Sequence, residues 1–320
     1  MPVSVDIPLE KYRGAVREVT LGAGSDAGGT RARTVTVGGE RTLPFLKFEG
    51  EMPNRPVVGV EIAEQAPTGW SELLARAWSD VWDDPAAWAA KAEQLGADLI
   101  VMQVQDNGDR SLTPADLAAR CKAVLSATGL PLVVIGPGSP ERDNELLLAV
   151  ADAAAGERLA LGLCEEDNYR TIVAAALANN HVVIASSPID VNLAKQLNIL
   201  IRDMNLPLDR VLMDPTTGAL GYGLEYTYSV MERLRLAALQ GDEMTQQPMF
   251  CLVGYESWRQ KEARVGEDVP VEWGDWERRA VLWESVTATS LLHSGADVVV
   301  LRHPESLELV RTTINELMGG

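Results

Sequence analysis

From residue 55 to the C-terminus, short apolar runs alternate with longer stretches of mixed polarity. The runs fall at 57–62, 98–103, 132–135, 159–163, 182–186, 211–213, 249–253 and 297–301. Each is brief, β-branched and almost continuously apolar, the pattern of strands buried on both faces. Helices are predicted between them, at 85–95, from Thr113 onward, and at 142–154, 166–179, 190–204, 224–240, 275–294 and 304–317. Their ends carry recognisable signals. Asp84 precedes Pro85 as an N-cap, and Gly96 follows the last turn. Thr113-Pro-Ala-Asp116 has capping-box spacing, with Asp where Glu or Gln is preferred. Gly-Ala-Asp at Gly96 and again at Gly295 stops a helix and starts a strand.

Eight strands alternating with eight helices over about 265 residues match an α/β (β/α)8 TIM barrel in count and length. A doubly wound open sheet is the alternative. Its phosphate-binding fingerprint is missing, because Gly136-Pro-Gly-Ser-Pro-Glu141 fails at the sixth position and carries a proline in the middle. The barrel is assigned to residues 51–320.

Residues 1–50 differ. Segments 15–21 and 31–37 alternate with period two around Gly22-Ala-Gly-Ser-Asp-Ala-Gly-Gly29, which reads as a β-hairpin with a long turn. Gly38-Gly39 ends it, and 43–48 is expected to lay apolar side chains across the barrel.

Composition narrows the function. With 28 Lys+Arg against 46 Asp+Glu, the formal charge is -18, which repels phosphate backbones and argues against nucleic-acid binding. No run of apolar residues is long enough to span a membrane, and no signal peptide is visible, so the cytoplasm is the expected location. Cys121, Cys164 and Cys251 lie far apart without CxxC spacing. They supply neither a disulfide framework nor the four thiolates an iron–sulfur cluster ordinarily takes. His181, His293 and His303 show no metal spacing.

Barrel sites form where chain leaves the carboxyl ends of strands. The predicted mouth contains Glu61 and Glu64; Gln103, Asp106 and Asn107; Gly136 and Ser139; Glu165 and Asn168; Ser186, Ser187 and Asp190. It is completed by Asp214, Thr216 and Thr217, by Gly254 and Tyr255, and by Arg302 and His303. Glu61 with Asp214 is the most plausible acid pair, though both residue types also serve as strand-end hydrogen-bonding groups. No strand-end lysine offers Schiff-base chemistry, and no Ser–His arrangement is present. Asp106-Asn-Gly-Asp109 reads as a turn, since the fuller calcium-loop pattern is missing. Trp258, Trp273 and Trp276 stand among charges in a long connection over 255–277, as a partner patch or as struts under the loop. No catalytic and no metal-ligating residue is assigned.

The most informative stretch is Val211-Leu-Met-Asp-Pro-Thr-Thr-Gly-Ala-Leu-Gly-Tyr-Gly-Leu-Glu-Tyr226, a strand running into a Gly-rich loop and then a helix. With Ser229-Val-Met-Glu-Arg-Leu-Arg-Leu-Ala-Ala-Leu239, it resembles the small (delta-type) subunit of the corrinoid iron–sulfur protein of the acetyl-CoA synthase/decarbonylase pathway. Similar likenesses lie in Phe45-Leu-Lys-Phe-Glu-Gly-Glu-Met-Pro-Asn-Arg-Pro56, Pro131-Leu-Val-Val-Ile-Gly-Pro-Gly138, and Ala185-Ser-Ser-Pro-Ile-Asp190 with Asn192-Leu-Ala-Lys195. Together they span roughly 45–320.

The resemblance implies a barrel subunit paired with a larger corrinoid iron–sulfur subunit. That partner carries the iron–sulfur cluster and holds a cobamide against this barrel's mouth. Transient partners are a methyltransferase, which supplies methyl from methyltetrahydrofolate, and acetyl-CoA synthase, which receives it. The expected cobamide-facing residues are Asp214, Thr216, Thr217, Gly218, Gly221, Tyr222, Ser186, Ser187, Gly136, Gln103 and Asn107. The alternative is a pterin-binding barrel methyltransferase, with Asp214 and Gln103, Asn107 or Asp106 holding the pterin edge. A barrel aldolase or hydrolase is a third class, opposed by the missing strand-end lysine and metal triad.

Overall fold

The computed structural model describes residues 8–105 and 112–319. The chain opens with an antiparallel ribbon, β1 (Val19–Leu21) on β2 (Val35–Val37), with Val19 opposite Val37. Eight parallel strands then close a barrel: β3 (Val57–Ala63), β4 (Leu99–Gln103), β5 (Leu132–Ile135), β6 (Ala160–Cys164), β7 (Val182–Ser186), β8 (Val211–Asp214), β9 (Met249–Cys251) and β10 (Ala296–Leu301). Each strand pairs with its neighbour in sequence, and β10 returns to β3, so the fold is a TIM barrel with an N-terminal β-hairpin.

Helices cover the outside: α1 (Glu72–Ala77), α2 (Pro85–Gln94), α3 (Pro114–Ala127), α4 (Pro140–Ala153), α5 (Tyr169–Asn179), α6 (Val191–Asp203) and α7 (Leu224–Leu239). After them come the short α8 (Val253–Ser257) and α9 (Lys261–Arg264), then α10 (Trp276–His293) and α11 (Pro304–Leu317). Four of them start on proline, whose missing N–H is unpaired there in any case. The capping box at Thr113 forms, with the Asp116 carboxylate accepting the Thr113 N–H at 3.0 Å.

The 255–277 stretch, expected as a long connection, folds into α8, α9 and a 3-10 turn at Val271–Trp273. For the same reason β9 ends at Cys251 rather than at 253: the chain turns into α8 directly after Leu252.

The ribbon closes the amino-terminal end of the barrel. Val19, Leu21 and Val37 are fully buried in one cluster with the inward-facing Leu99, Val133, Val182, Ile184, Leu212, Phe250 and Val298. Its backbone bonds to the turns that precede the strands: Gly22 N–H to Arg158 O at 2.9 Å, Ala32 N–H to Gly129 O at 3.0 Å and Gly14 N–H to Leu239 O at 2.8 Å. These bonds explain why the ribbon strands are shorter than the period-two segments, because the flanking residues pair with the barrel instead. Arg31 fastens the turn, donating to Thr128 O at 2.8 Å, Leu125 O at 2.6 Å and Glu157 Oε2 at 2.9 Å. Gly38 has φ 87°, and a Cβ there would lie 1.9 Å from Arg17 O. Only glycine fits that close approach. Of segment 43–48, Phe45 packs edge-on against His293 at 5.5 Å, while Phe48 stays exposed.

A plug of this kind should unfold together with the barrel. Val19→Ala is expected to lower the unfolding free energy by about 2 kcal/mol with one transition retained. Urea unfolding followed by fluorescence and circular dichroism checks this. An early separate transition would mean that the ribbon is an independent appendage.

Candidate functional site

At the carboxyl end of the barrel, Asp214 closes β8 with its carboxyl buried. Its Oδ1 accepts the Thr216 N–H at 2.8 Å, and its Oδ2 accepts the Ser186 hydroxyl at 3.2 Å. The Ser187 N–H reaches Asp214 O at 3.0 Å, locking the turn after β7 to β8. Burial pushes the Asp214 carboxyl up to about 7, with the charges of Glu256 and Glu165 adding, while the bonds from Thr216 and Ser186 hold it back. Thr216 sits at φ 58°, a backbone region that β-branched residues rarely enter. Its Oγ1 lies 2.8 Å from Pro215 O and accepts the Ile189 N–H at 3.3 Å. Thr217 is buried and its Oγ1 has no partner among the described residues.

Across the barrel from β8, Gln103 at the end of β4 donates to Gly136 O at 2.9 Å. Gly136 must be small, since a Cβ would come within 2.3 Å of Asp143 Oδ1. Asp143 accepts the Gly138 N–H at 3.0 Å and the Asn168 side-chain amide at 3.2 Å, and Asn168 Oδ1 accepts the Glu165 N–H at 2.7 Å. Between the β6–α5 turn and α6 lies a crevice of about 290 Å³, bordered by Glu165, Ser186, Ser187, Leu193, Leu197 and Thr216.

The opposite side of the mouth is ionic. Glu61 forms a buried pair with Arg302, whose guanidinium stacks over Trp70 at 4.0 Å. Glu284, buried on α10, accepts the Arg302 N–H at 2.6 Å and the His303 N–H at 3.2 Å. Glu61 is therefore engaged by Arg302, and Asp214 by Ser186 and Thr216. Each carboxylate has its own partners, the arrangement of strand-end hydrogen-bonding groups. His303 caps α11 through its Nδ1, which accepts the Glu305 N–H at 3.2 Å, and its ring lies against Trp258 at 5.8 Å. Burial pushes the imidazole down to about 4, so it is neutral at pH 7.

The structure thus gathers Ser186, Ser187, Asp214 and Thr216 at one corner, while Gln103 with Gly136 stands apart from it, on the β4–β5 side of the mouth. Gly221 and Tyr222 lie apart, on the outer flank of the loop, where they border a groove between α7 and α10. The Tyr222 ring is 78% exposed, and its hydroxyl donates back to Gly218 O at 2.6 Å. Asn107, and the Asp106–Asp109 turn with it, lie outside the described residues. The tryptophans divide: Trp258 is buried and Trp276 donates to Ala263 O at 2.8 Å as struts, whereas Trp273 borders the groove.

Two mouth residues were not anticipated, Asp143 and Glu284. Asp143 could have been found from Ser139-Pro140, which places it in the first turn of α4. Glu284 lies inside α10 and leaves no local signal.

All three cysteines are free and buried, and burial raises each thiol above its ordinary value. Iodoacetamide at pH 8 should therefore label none of them in the native chain and all three after denaturation, as read by mass spectrometry. Native labelling at Cys164 or Cys251 would show that the mouth opens. No group of three or more potential metal ligands occurs among the described residues. No helix among them is long and apolar enough to cross a membrane.

Among solved structures the fold is similar to a dihydropteroate synthase from Xanthomonas albilineans, with TM-score 0.57 and 14% identity over 87% of this chain and 98% of that one. A dihydropteroate synthase from Coxiella burnetii, solved with pteroic acid, aligns with TM-score 0.54 and 12% identity over 87% and 99%. At such identities the likeness concerns the barrel alone. The acetyl-CoA decarbonylase/synthase complex subunit delta of Archaeoglobus fulgidus is 37% identical over 97% of this chain and 70% of its own length. Subunit delta 1 of the Methanosarcina thermophila complex is 36% identical over 100% of this chain and 75% of its own. The model of the CO dehydrogenase/acetyl-CoA synthase delta subunit family matches residues 18–314, and the chain belongs to that family.

Proposed function

We propose that this chain is the small barrel subunit of a two-chain corrinoid iron–sulfur methyl carrier, working within an acetyl-CoA decarbonylase/synthase complex. Its larger partner holds the cobamide and the iron–sulfur cluster. A methyltransferase and acetyl-CoA synthase bind in turn, in the cytoplasm. What carries the reading is a mouth corner whose polar groups are held by this chain's own hydrogen bonds, beside a crevice with room to spare. Asp214, Ser186 and Thr216 satisfy one another, and no histidine, lysine or cysteine among the described residues borders the crevice beside them. A pre-organised wall of this kind binds by shape.

The residues fit a corrinoid's edge. A crevice of about 290 Å³ is too small to enclose a corrin macrocycle but has room for one of its peripheral amide arms. Beside Thr216, Thr217 carries a buried hydroxyl without a partner among the described residues, a group left for a ligand to satisfy. Ser187 and Thr216 border the crevice, Gly218 lets a ring approach the backbone, and Gln103 and Gly136 hold each other on the β4–β5 side of the mouth. When bound, the cobamide supplies a cobalt centre that accepts and releases a methyl group. The barrel's part is to cover that centre, exclude water and let go when a methyl donor or acceptor binds.

Purification of the native protein tests this. The expected result is equimolar co-elution with a larger chain that shows corrinoid and iron–sulfur absorbance, and no heat when the isolated chain is titrated with methyltetrahydrofolate. A colourless chain that binds methyltetrahydrofolate and turns over with free corrinoid would establish the pterin-binding methyltransferase instead.

A further inference from the structure

At the mouth corner a buried carboxyl is joined through one hydroxyl to the wall of the crevice. Ser186 ends β7 and Asp214 ends β8, as neighbours in register. The Ser186 hydroxyl donates to Asp214 Oδ2 at 3.2 Å, and Ser186 also borders the crevice of about 290 Å³. Asp214 Oδ1 is committed to the Thr216 N–H at 2.8 Å. The Asp214 residue is 2% exposed, and no lysine or arginine among the described residues bonds to it. Around it stand Glu256 on α8, Glu165 in the β6–α5 turn and the buried Cys251 thiol on β9. The cations on that side, Arg259 and Arg302, act on Glu256. Two neighbouring carboxylates favour the neutral acid, in the same direction as burial.

The two protonation states present different groups to the crevice. With Asp214 ionised, both of its oxygens accept, the Ser186 proton points at Oδ2, and Ser186 has only a lone pair left to offer. A proton taken from water onto Oδ2 reverses that bond. The carboxyl O–H now donates to Ser186 Oγ, and the serine's own proton, with Oδ2 no longer accepting, turns to the crevice. Oδ1 keeps the Thr216 N–H in either state, so the backbone of the corner need not move. We propose that Asp214 and Ser186 form a proton-operated donor switch, whose protonated form binds the carbonyl oxygen of a neutral carboxamide. The rim sets the class of ligand. Glu165, Glu166 and Asp167 border the crevice and no described lysine or arginine does, so amide N–H groups are favoured there and a ligand carboxylate is repelled. An amide with its nitrogen toward those carboxylates turns its C=O toward Ser186. Which amide arrives rests on the reading that the mouth faces the cobamide, whose peripheral arms carry carboxamides.

Binding a carbonyl oxygen favours the protonated form, and so does covering the corner from water, so the ligand raises the Asp214 carboxyl further above about 7. Affinity is therefore full below about pH 7 and falls above it, by up to about tenfold per pH unit for one proton. The full chain is tested against the corrinoid-loaded larger subunit. The dissociation constant should rise with pH between about 6 and about 8.5. Asp214→Asn fixes an amide donor on Ser186 and should remove that dependence. Ser186→Ala should also remove it, and should bind about threefold or more weakly at about pH 6. With the corrinoid-free larger subunit, no difference in slope among the three proteins is expected. A flat wild-type constant, an unchanged slope in Asp214→Asn, or the same Asp214-dependent slope without corrinoid would overturn the proposal. Infrared difference spectra of the isolated chain over the same range read the proton without a ligand. A carboxylic acid C=O band that Asp214→Asn lacks is expected, and its absence from the wild type would overturn the switch itself. Failure to associate at any pH would overturn the carboxamide assignment together with the cobamide reading, while the infrared band decides the switch separately.

Discussion

Arg235→Met is expected to destabilise the chain by about 3–5 kcal/mol, as breaking a buried ion pair from one side does. Arg235, on α7, is 4% exposed and donates to Asp297 Oδ2 at 2.8 Å and to Glu40 Oε2 at 3.2 Å. These three residues join the N-terminal extension, an outer helix and β10 in one contact. Without the guanidinium, two buried carboxylates face each other with nothing between them. The pH dependence has a definite sign. Burial first, and the Asp297 charge second, raise Glu40 from 4.5 to about 8, while Arg235 pulls it down. The folded state therefore holds a proton that the unfolded state has released, and this group's contribution to stability falls as pH rises from about 4.5 to about 8. In Arg235→Met the pull is gone, so Glu40 rises further and the loss should run on to higher pH. Glu40→Gln should flatten the wild-type dependence, since an amide bonds to both neighbours without titrating. Urea midpoints at about pH 5 and about pH 8 for the three proteins decide the matter. Equal midpoints in Arg235→Met and wild type at both values would show that the triad does not fasten the extension.

The largest functional effect is expected from Gly218→Phe. A Cβ on Gly218 would meet nothing within 4 Å, and the residue does not occupy the left-handed region. The fold should therefore accept the side chain, with stability changed by about 0.5 kcal/mol or less. The ring would nevertheless stand at the start of the loop where the cobamide is proposed to approach. Methyl transfer through the complex should fall by about tenfold or more, which corresponds to at least about 1.4 kcal/mol of lost interaction. Gly221→Phe is a poor substitute, because φ there is 91° and a Cβ would come within 2.4 Å of Gln260 Oε1. Full methyl transfer by a stably folded Gly218→Phe complex would remove this loop from the contact.

The barrel was legible because its strands are buried on both faces and read as apolar runs bounded by helix stops such as Gly96 and Gly295. The polar strand ends were legible for a related reason: Gln103, Ser186 and Asp214 are the polar residues that end such runs. Their partners were not. Glu61 meets Arg302 from the far end of the chain, and Glu284 reaches the same site from within α10, so neither contact has a local sequence signature. The Gly-rich loop was legible as a loop, but not as one that turns Tyr222 outward, because that direction depends on how far α7 and α10 stand apart. Segment 249–253 failed as a five-residue strand because an apolar run cannot distinguish a strand from the start of α8.

In the proposed complex the barrel mouth covers the partner's cobamide. Hydrogen exchange of the two-subunit complex, with the cobamide present and after its removal, tests this most directly. Slower exchange at 186–190 and 214–220 is expected when the cobamide is present, with the ribbon at 19–37 unchanged. Equal exchange of the mouth segments in both preparations, from a complex that carries its full complement of corrinoid, would contradict it.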